Sequence, residues 1–497
     1  MEGRDSGPYF DPDFDSIFER INPRVCIDNE TREDCTLIKV DSANRHGILL
    51  EMVQLLTDLD LVISKSYISS DGGWLMDVFH VTDQLGRKLI DPVLIRFLQQ
   101  SLVKERTGAR STREEVTTCL GKLVGAGHLA SEYAVVEITA TDRPGLLSEI
   151  AAVVAELYCH VACAQAWTHN SRSAIVFYLT EEATRKAITD ANRLAHIEQQ
   201  IDNVLVAHHG LGERRGVKVS GPTPDRVHSE RRLHQLMYED GDYEAGPPPP
   251  PADISLEPRI GTVLLSSTVP SPLPWSATIK TRASVDSWHE KGYSVVNIHC
   301  RDRPKLLFDT VCTLTDMQYA VFHASVGAHG PLAVQEYYIR QMNGCTLDSE
   351  SERQRVSRCL VAAVERRVSH GLRLEITTTD RGGLLADVTR VLRENGFSLT
   401  RMECATRGER AVGTFYVVDY ASDGGEVDAR RVNAVRKELG ESVTVKVSGS
   451  GAVEGCGVAA AKASMSPVGG GRSATSLGSL LWSHLGRLSG NFGSIRS

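Results

Sequence analysis

Four tandem α+β units, each in the order β-α-β-β-α-β and packed as two pairs, are what this sequence predicts. Three observations predict it. A block of fifteen residues returns 160 positions later with nine identities. Each copy of the block marks a switch from period-two to helical apolar spacing. Each repeat also spans roughly 75–80 residues, enough for one small domain.

The returning block is Tyr133-Ala-Val-Val-Glu-Ile138 followed by Asp142-Arg143-Pro144-Gly145-Leu146-Leu147, which matches Tyr293-Ser-Val-Val-Asn-Ile298 and Asp302-Arg303-Pro304-Lys305-Leu306-Leu307 without a gap. A third version reads Asp380-Arg381-Gly382-Gly383-Leu384-Leu385, and a more divergent one Asn44-Arg45-His46-Gly47-Ile48-Leu49. Ahead of each block an apolar/polar alternation, as in Leu37-Ile-Lys-Val40 and Leu372-Arg-Leu-Glu-Ile376, is the signature of a half-buried strand. Behind it the apolar residues fall on one helical face: Leu146, Leu147, Ile150, Val153, Val154 and Leu157 in copy two, with the same offsets from Ile48, and all but the last from Leu384.

Two strands follow in each unit, Val62–Ser69 then Leu75–Val81 in copy one, Phe397–Ala405 then Ala411–Val418 in copy four. A second amphipathic helix comes next, at Glu352–Arg367 and Asp428–Leu439. A closing strand is readable at Val204–His208 and Val443–Val447, but copies one and three show no separate one. This order is the split βαβ, ferredoxin-like arrangement. Its bare sheet edges and helix faces call for a neighbour.

The boundaries that follow are an N-terminal segment at 1–35, units at 36–115, 133–212, 291–368 and 371–448, a proline-rich linker at 213–290, and a Ser/Gly-rich tail at 449–497. The linker carries Pro247 to Pro251 in a row, which favours an extended polyproline segment. Its presence predicts two sequential pairs, 36–212 and 291–448, with cleavage by proteases between them. The tail is expected to be disordered, although Leu477, Leu480, Leu481, Leu485 and Leu488 share one helical face.

Composition narrows the function. A net charge of −8 is the wrong sign for a general nucleic-acid binder. No apolar run approaches the roughly 20 residues of a transmembrane helix. The first 35 residues hold ten acids against four arginines, unlike a transit peptide, and the scattered cysteines read as reduced thiols. A cytoplasmic or nuclear protein is expected. No phosphate loop, nucleophile elbow or His-Glu-x-x-His motif is present, so no enzyme, cofactor or metal is expected; the His208-His209 pair stands alone.

The Asp-Arg-Pro-Gly-Leu-Leu turn between first strand and first helix resembles the signature loop of the ACT domain. From about Tyr9 to Ser448 the chain is similar to the plant ACT-domain-repeat family, four ACT units with no catalytic domain. Ile21-Asn-Pro-Arg-Val-Cys-Ile-Asp28, Ser69–Asp83 and Leu307–Tyr319 carry that resemblance. The stretch Val269–Glu290 is extra material relative to the family. The resemblance implies a non-catalytic sensor that binds an amino acid or related metabolite, acts in nitrogen or amino acid metabolism, and passes its state to a protein partner, with homo-oligomers among its expected forms. The competing function is a scaffold whose ACT units serve assembly alone.

At the loop, Asp142, Asp302 and Asp380 stand where a helix N-cap belongs, with Pro144 and Pro304 inside the first turn. Glycine there lets a ligand come close to the backbone, and unpaired first-turn amides suit a carboxylate. The residues expected at the ligand are Asn44 and Gly47, then Asp142, Gly145 and Leu146, then Asp380, Gly383 and Leu384. In copy three Lys305 replaces the glycine and is expected to block the approach.

Overall fold

A computed structural model of the protein describes residues 24–103, 115–125, 132–244, 279–419 and 429–448, short interruptions aside. The acidic N-terminus, His208-His209, the Pro247–Pro251 run and the tail with its leucine face lie outside the described residues.

An extra strand, β1 (Arg24–Asp28), precedes copy one, which runs β2 (Thr36–Ala43), α1 (Ile48–Asp58), β3 (Val62–Asp71), β4 (Trp74–Thr82) and α2 (Pro92–Val103). A short hairpin, β5 (Glu115–Thr117) and β6 (Leu123–Gly125), leads to copy two. That copy has β7 (Ala134–Thr141), α3 (Leu146–Glu156), β8 (Cys159–His169), β9 (Arg172–Glu181), α4 (Ala191–Ala207) and β10 (Gly216–Ser220). Helix α5 (Ser229–Asp240) and strand β11 (Arg282–Trp288) come next. Copy three has β12 (Tyr293–Arg301), α6 (Leu306–Asp316), β13 (Tyr319–His329), β14 (Leu332–Gln341) and α7 (Glu350–Arg366). Copy four has β15 (Leu372–Thr379), α8 (Leu384–Glu394), β16 (Phe397–Arg407), β17 (Arg410–Asp419), α9 (Ala429–Leu439) and β18 (Thr444–Ser448).

These elements form two compact units whose residues interleave along the chain. One holds the described parts of 1–126 and 282–354, the other those of 127–281 and 355–454. The first contains the sheet β1-β2-β4-β3-β13-β14-β12-β11, the second β10-β7-β9-β8-β16-β17-β15-β18. Copy one therefore pairs with copy three and copy two with copy four, not the sequential pairs expected. The joints are antiparallel, with Ile68 opposite Ala324 in one sheet and Ala166 opposite Met402 in the other. In each copy the second strand would otherwise be a bare edge, and pairing satisfies its amides. In the second unit the two copies also share one apolar core: Ile150, Val154 and Phe177 sit with Val388, Leu392 and Phe415.

Three sequence expectations need correction. Val204–Ala207 is the end of helix α4, and the closing strand of copy two is β10, antiparallel to β7 with Val217 opposite Ile138. In copies one and three the place beside the first strand is taken by strands that precede the unit, β1 on β2 and β11 on β12. The stretch expected as a linker thus contributes three elements, β10, α5 and β11. Helix α5 lies against β7, β8 and β9, and Leu233, Leu236 and Met237 cover Val135, Trp167 and Val176. Charged contacts hold it there: Arg366 Nε donates to Asp242 at 2.8 Å, and Arg367 pairs with Glu230 at 2.9 Å, all four side chains at most 6 % exposed.

Candidate ligand site at the strand–helix loops

Each repeated loop is a tight turn that delivers the chain into its first helix. In copy two the amide of Leu146 donates to the carbonyl of Arg143 at 3.1 Å, and Gly145 has φ 84° and ψ −7°. That is a type II turn with Pro144 and Gly145 at its centre, the positions that favour proline and require φ > 0. The residue before the helix is left-handed in all four copies: Gly47 at φ 83°, Gly145 at 84°, Lys305 at 64° and Gly383 at 69°. None of these helices has a side-chain cap. Asp142, Asp302 and Asp380 therefore end the strand rather than cap the helix, and Pro144 precedes the first helical turn. The glycine is there first for its conformation; Lys305 bears the strain of a side chain in that region.

A second pattern, unnoticed in the sequence, fastens the turn. Arg45 pairs with Glu51, Arg143 with Glu149, Arg303 with Asp309 and Arg381 with Asp387. The offset is six residues every time, so both partners were visible in the repeat.

The turn faces the second strand of the paired copy. Those strands bulge at one equivalent place, the register slipping between Ile63 and Lys65, Val161 and Cys163, Val321 and His323, and Leu399 and Arg401. Extra residues of this kind kink a strand and re-aim its side chains. In the second unit the bulged strand β8 brings His160 to the copy-four loop. His160 Nε2 lies 2.9 Å from Asp380 Oδ2, and Arg185 Nη1 donates to the same oxygen at 2.7 Å. On its other side His160 Nδ1 is 3.3 Å from Thr180 Oγ1. Burial alone would raise the Asp380 pKa, but the bonds from His160 and Arg185 hold it below the ordinary carboxylate value. Gly382 stands where copies two and three have proline, and a Cβ there would collide with the Glu182 carboxylate of copy two.

Beneath this loop lies a small cavity with an open mouth. Asp380, Gly383, Leu384 and Leu385 form one wall, and Ala151, Val154, Ala155 and His160 of copy two the other. Strand register orders the floor in rows. Thr378, Ala411 and Thr406 face one another nearest the loop, then Ile376, Gly413 and Cys404, with Phe415 beyond. Burial pushes the Cys404 thiol up, so it faces the cavity uncharged.

The floor differs between copies at one position in the third strand. Matched across copies by register, it is Asp77 opposite Ile68, Ile175 opposite Ala166, Gln335 opposite Val326 and Gly413 opposite Cys404. Where copy two has Ile175, the Phe415 ring covers Gly413, with Cε2 2.6 Å from where a Cβ would be. The loop of copy two differs at its surface as well. A Cβ on Gly145 would lie 2.8 Å from Arg393 Cδ, so that arginine covers the glycine, whereas Gly383 has only the Ala155 methyl at 3.8 Å. Ala155 and Arg393 hold the same place in their helices. Asp142, half-buried in the shallower hollow beside Arg393, is pushed up to about 6 by burial, against bonds and charge from Arg143.

Of the other expected residues, Asn44 donates its amide to Gly73, and Gly47 has no atom within 4 Å of where a Cβ would be. The copy-three loop, Lys305 included, lines a hollow with Thr57, Leu61, Ile63 and Ser64 of copy one. Within the second unit the structure brings Asp380, Gly383 and Leu384 to one cavity and Asp142, Gly145 and Leu146 to another. Reading the sequence missed His160, Arg185, Ala155 and Arg393, which matter through the pairing of copies, and Gly413, which stands out only when the third strands are set side by side. Among the described residues no group of three His, Cys, Asp or Glu side chains is placed to hold a metal ion, and no helix is long and apolar enough to cross a membrane.

Comparison with known proteins places these repeats in the ACT-domain class. A family model described as the ACT domain matches residues 372–436, and one described as the ACR family N-terminal ACT domain matches residues 31–109. The ACT domain-containing protein ACR1 of Arabidopsis thaliana is 47% identical over 494 residues, covering 98% of each chain. The ACT domain-containing protein ACR3 of the same plant is 47% identical over 441 residues, 88% of this chain and 90% of its own. A bifunctional uridylyltransferase/uridylyl-removing enzyme of Gluconobacter oxydans (strain 621H) is 37% identical over 92 residues, 18% of this chain and 10% of its own. The chain belongs to the ACR family of ACT-domain proteins.

Proposed function

We propose that this protein is a non-catalytic regulatory sensor whose ligand, an amino acid or close relative, binds in the cavity beneath Asp380 and Gly383. The observation that carries the reading is that cavity itself. It opens at a turn of φ 69°, it is roofed by first-turn residues of α8, and it is walled by a second copy. A ligand there touches both copies of the pair, so occupancy bears on their packing and hence on whatever the surface presents to a protein partner. The ACT-domain family models that match support a regulatory role. Cytoplasm or nucleus, and a place in amino acid or nitrogen metabolism, complete the proposal.

Asp380 does not stand free to take a ligand ammonium, since His160 and Arg185 already hold it. Its part is to fix the mouth, with Arg185 partly exposed beside it. The test is thermal unfolding of the full-length protein against each of the twenty amino acids, because a ligand bound to the native state alone raises stability. Ala155→Arg, which reproduces at the open mouth the residue that covers Gly145, should abolish any shift. No shift with any amino acid would favour assembly alone as the role of these domains.

A further inference from the structure

We infer that the ligand of this cavity carries an apolar side chain, which lies against Phe415 and the apolar residues of α3 and α8. The inference rests on the ligand site proposed above and adds the class of ligand. Polarity falls along the floor from the loop inward. The hydroxyl-bearing row Thr378, Ala411, Thr406 lies next to Asp380, and the next row is Ile376, Gly413 and Cys404. Val388 and Leu385 of α8 and Val154 and Ala151 of α3 line the cavity as well. A charged or amide group placed beside Phe415 would meet methyls, a neutral thiol and a ring, and would stay unpaired. The polar head of an amino acid instead meets the loop and the Thr378 hydroxyl.

The room for it depends on the same row. The Phe415 ring lies over Gly413, where a Cβ would come within 2.6 Å of Phe415 Cε2 and 3.3 Å of Cys404 Cβ. In copy two Ile175, buried at 1 % exposure, occupies the matching place. Gly413 thus lets the ring lie down on the floor, and a side chain at 413 would push it into the apolar space that rewards burial of a ligand side chain.

The experiment is isothermal calorimetry of the full-length protein with L-leucine, L-phenylalanine, L-alanine, L-glutamine and L-aspartate. Leucine or phenylalanine should bind at least about tenfold more tightly than glutamine and aspartate. Gly413→Ala should weaken leucine about tenfold or more and leave alanine near its wild-type affinity. Glutamine or aspartate binding as tightly as leucine overturns the apolar class while leaving the site in place. Failure of all five to bind, together with no shift in the twenty-amino-acid screen, overturns the site and the inference together. Should Gly413→Ala not fold, the ranking on the unaltered protein decides alone.

Discussion

Asp77→Asn should make the first unit more stable at neutral pH and lose that advantage in acid. Asp77 lies on the helix-facing side of β4, 1 % exposed, where copy two has isoleucine. Its one described bond is from the Ser69 amide at 3.3 Å. Burial raises its pKa from 3.8 to about 8, the Ser69 bond opposing weakly. A carboxyl whose folded pKa exceeds its unfolded one binds a proton more tightly when folded. Its contribution is therefore fully present below pH 3.8 and is lost as pH rises through about 8. Between 3.8 and 7 the cost is 3.2 units, or on the order of 4 kcal/mol at ~1.36 kcal/mol per unit, an upper bound for a real interior. Asparagine cannot ionise and keeps an acceptor for Ser69, but its amide hydrogens go unpaired at about 1–3 kcal/mol. The net gain at pH 7 is roughly 1–3 kcal/mol, fading towards pH 4. Hydrogen exchange of peptides within 74–82, read against pH in both proteins, measures this locally. Protection that is equal in both at pH 7, or lower in the variant, would refute the reasoning.

Gly145→Val and Gly383→Val should each destabilise the second unit by about 1–3 kcal/mol, since valine is a poor occupant of φ 84° or 69°; thermal unfolding without ligand measures it, and equal melting would contradict the turn assignment. Arg393→Ala should uncover Gly145 and let calorimetry with L-leucine find a second, weaker site; unchanged stoichiometry would mean that Ile175 alone closes copy two. Arg366→Ala should leave Asp242 buried and unpaired at a cost of about 3–5 kcal/mol, with faster hydrogen exchange across 229–240. Exchange unchanged there would show that apolar contacts alone hold α5.

The strands and helices nearest each loop were legible because their signal is local: the period changes from two to 3.6 within a few residues of Asp142 or Asp380. The closing strand of copy two was not, since Val204 to Ala207 continues the apolar stripe of α4, where Ile197, Ile201 and Leu205 are buried. Strands β1 and β11 were illegible for another reason. Their pairing is with residues that follow them, and β11 lies in a stretch whose prolines read as linker. The partner of each copy is a long-range choice between similar edges, and nothing in a single strand names it. So it is with the site. The loop residues Asn44, Gly47, Asp142, Gly145, Asp380 and Gly383 could be read off, but the floor of the cavity depends on Gly413, over which the Phe415 ring lies, and its openness on Ala155. Gly413 could have been found by setting the third strands side by side, where Asp77, Ile175, Gln335 and Gly413 differ most in size and charge.

Hydrogen exchange of the full-length protein with and without L-leucine tests the central claim most directly. Ligand in the copy-four cavity predicts slower exchange in 155–161, 383–388 and 404–415, with the loops at Asn44 and Asp302 unchanged. Slowing at those other loops, or none at 383–388 under saturating leucine, would contradict it.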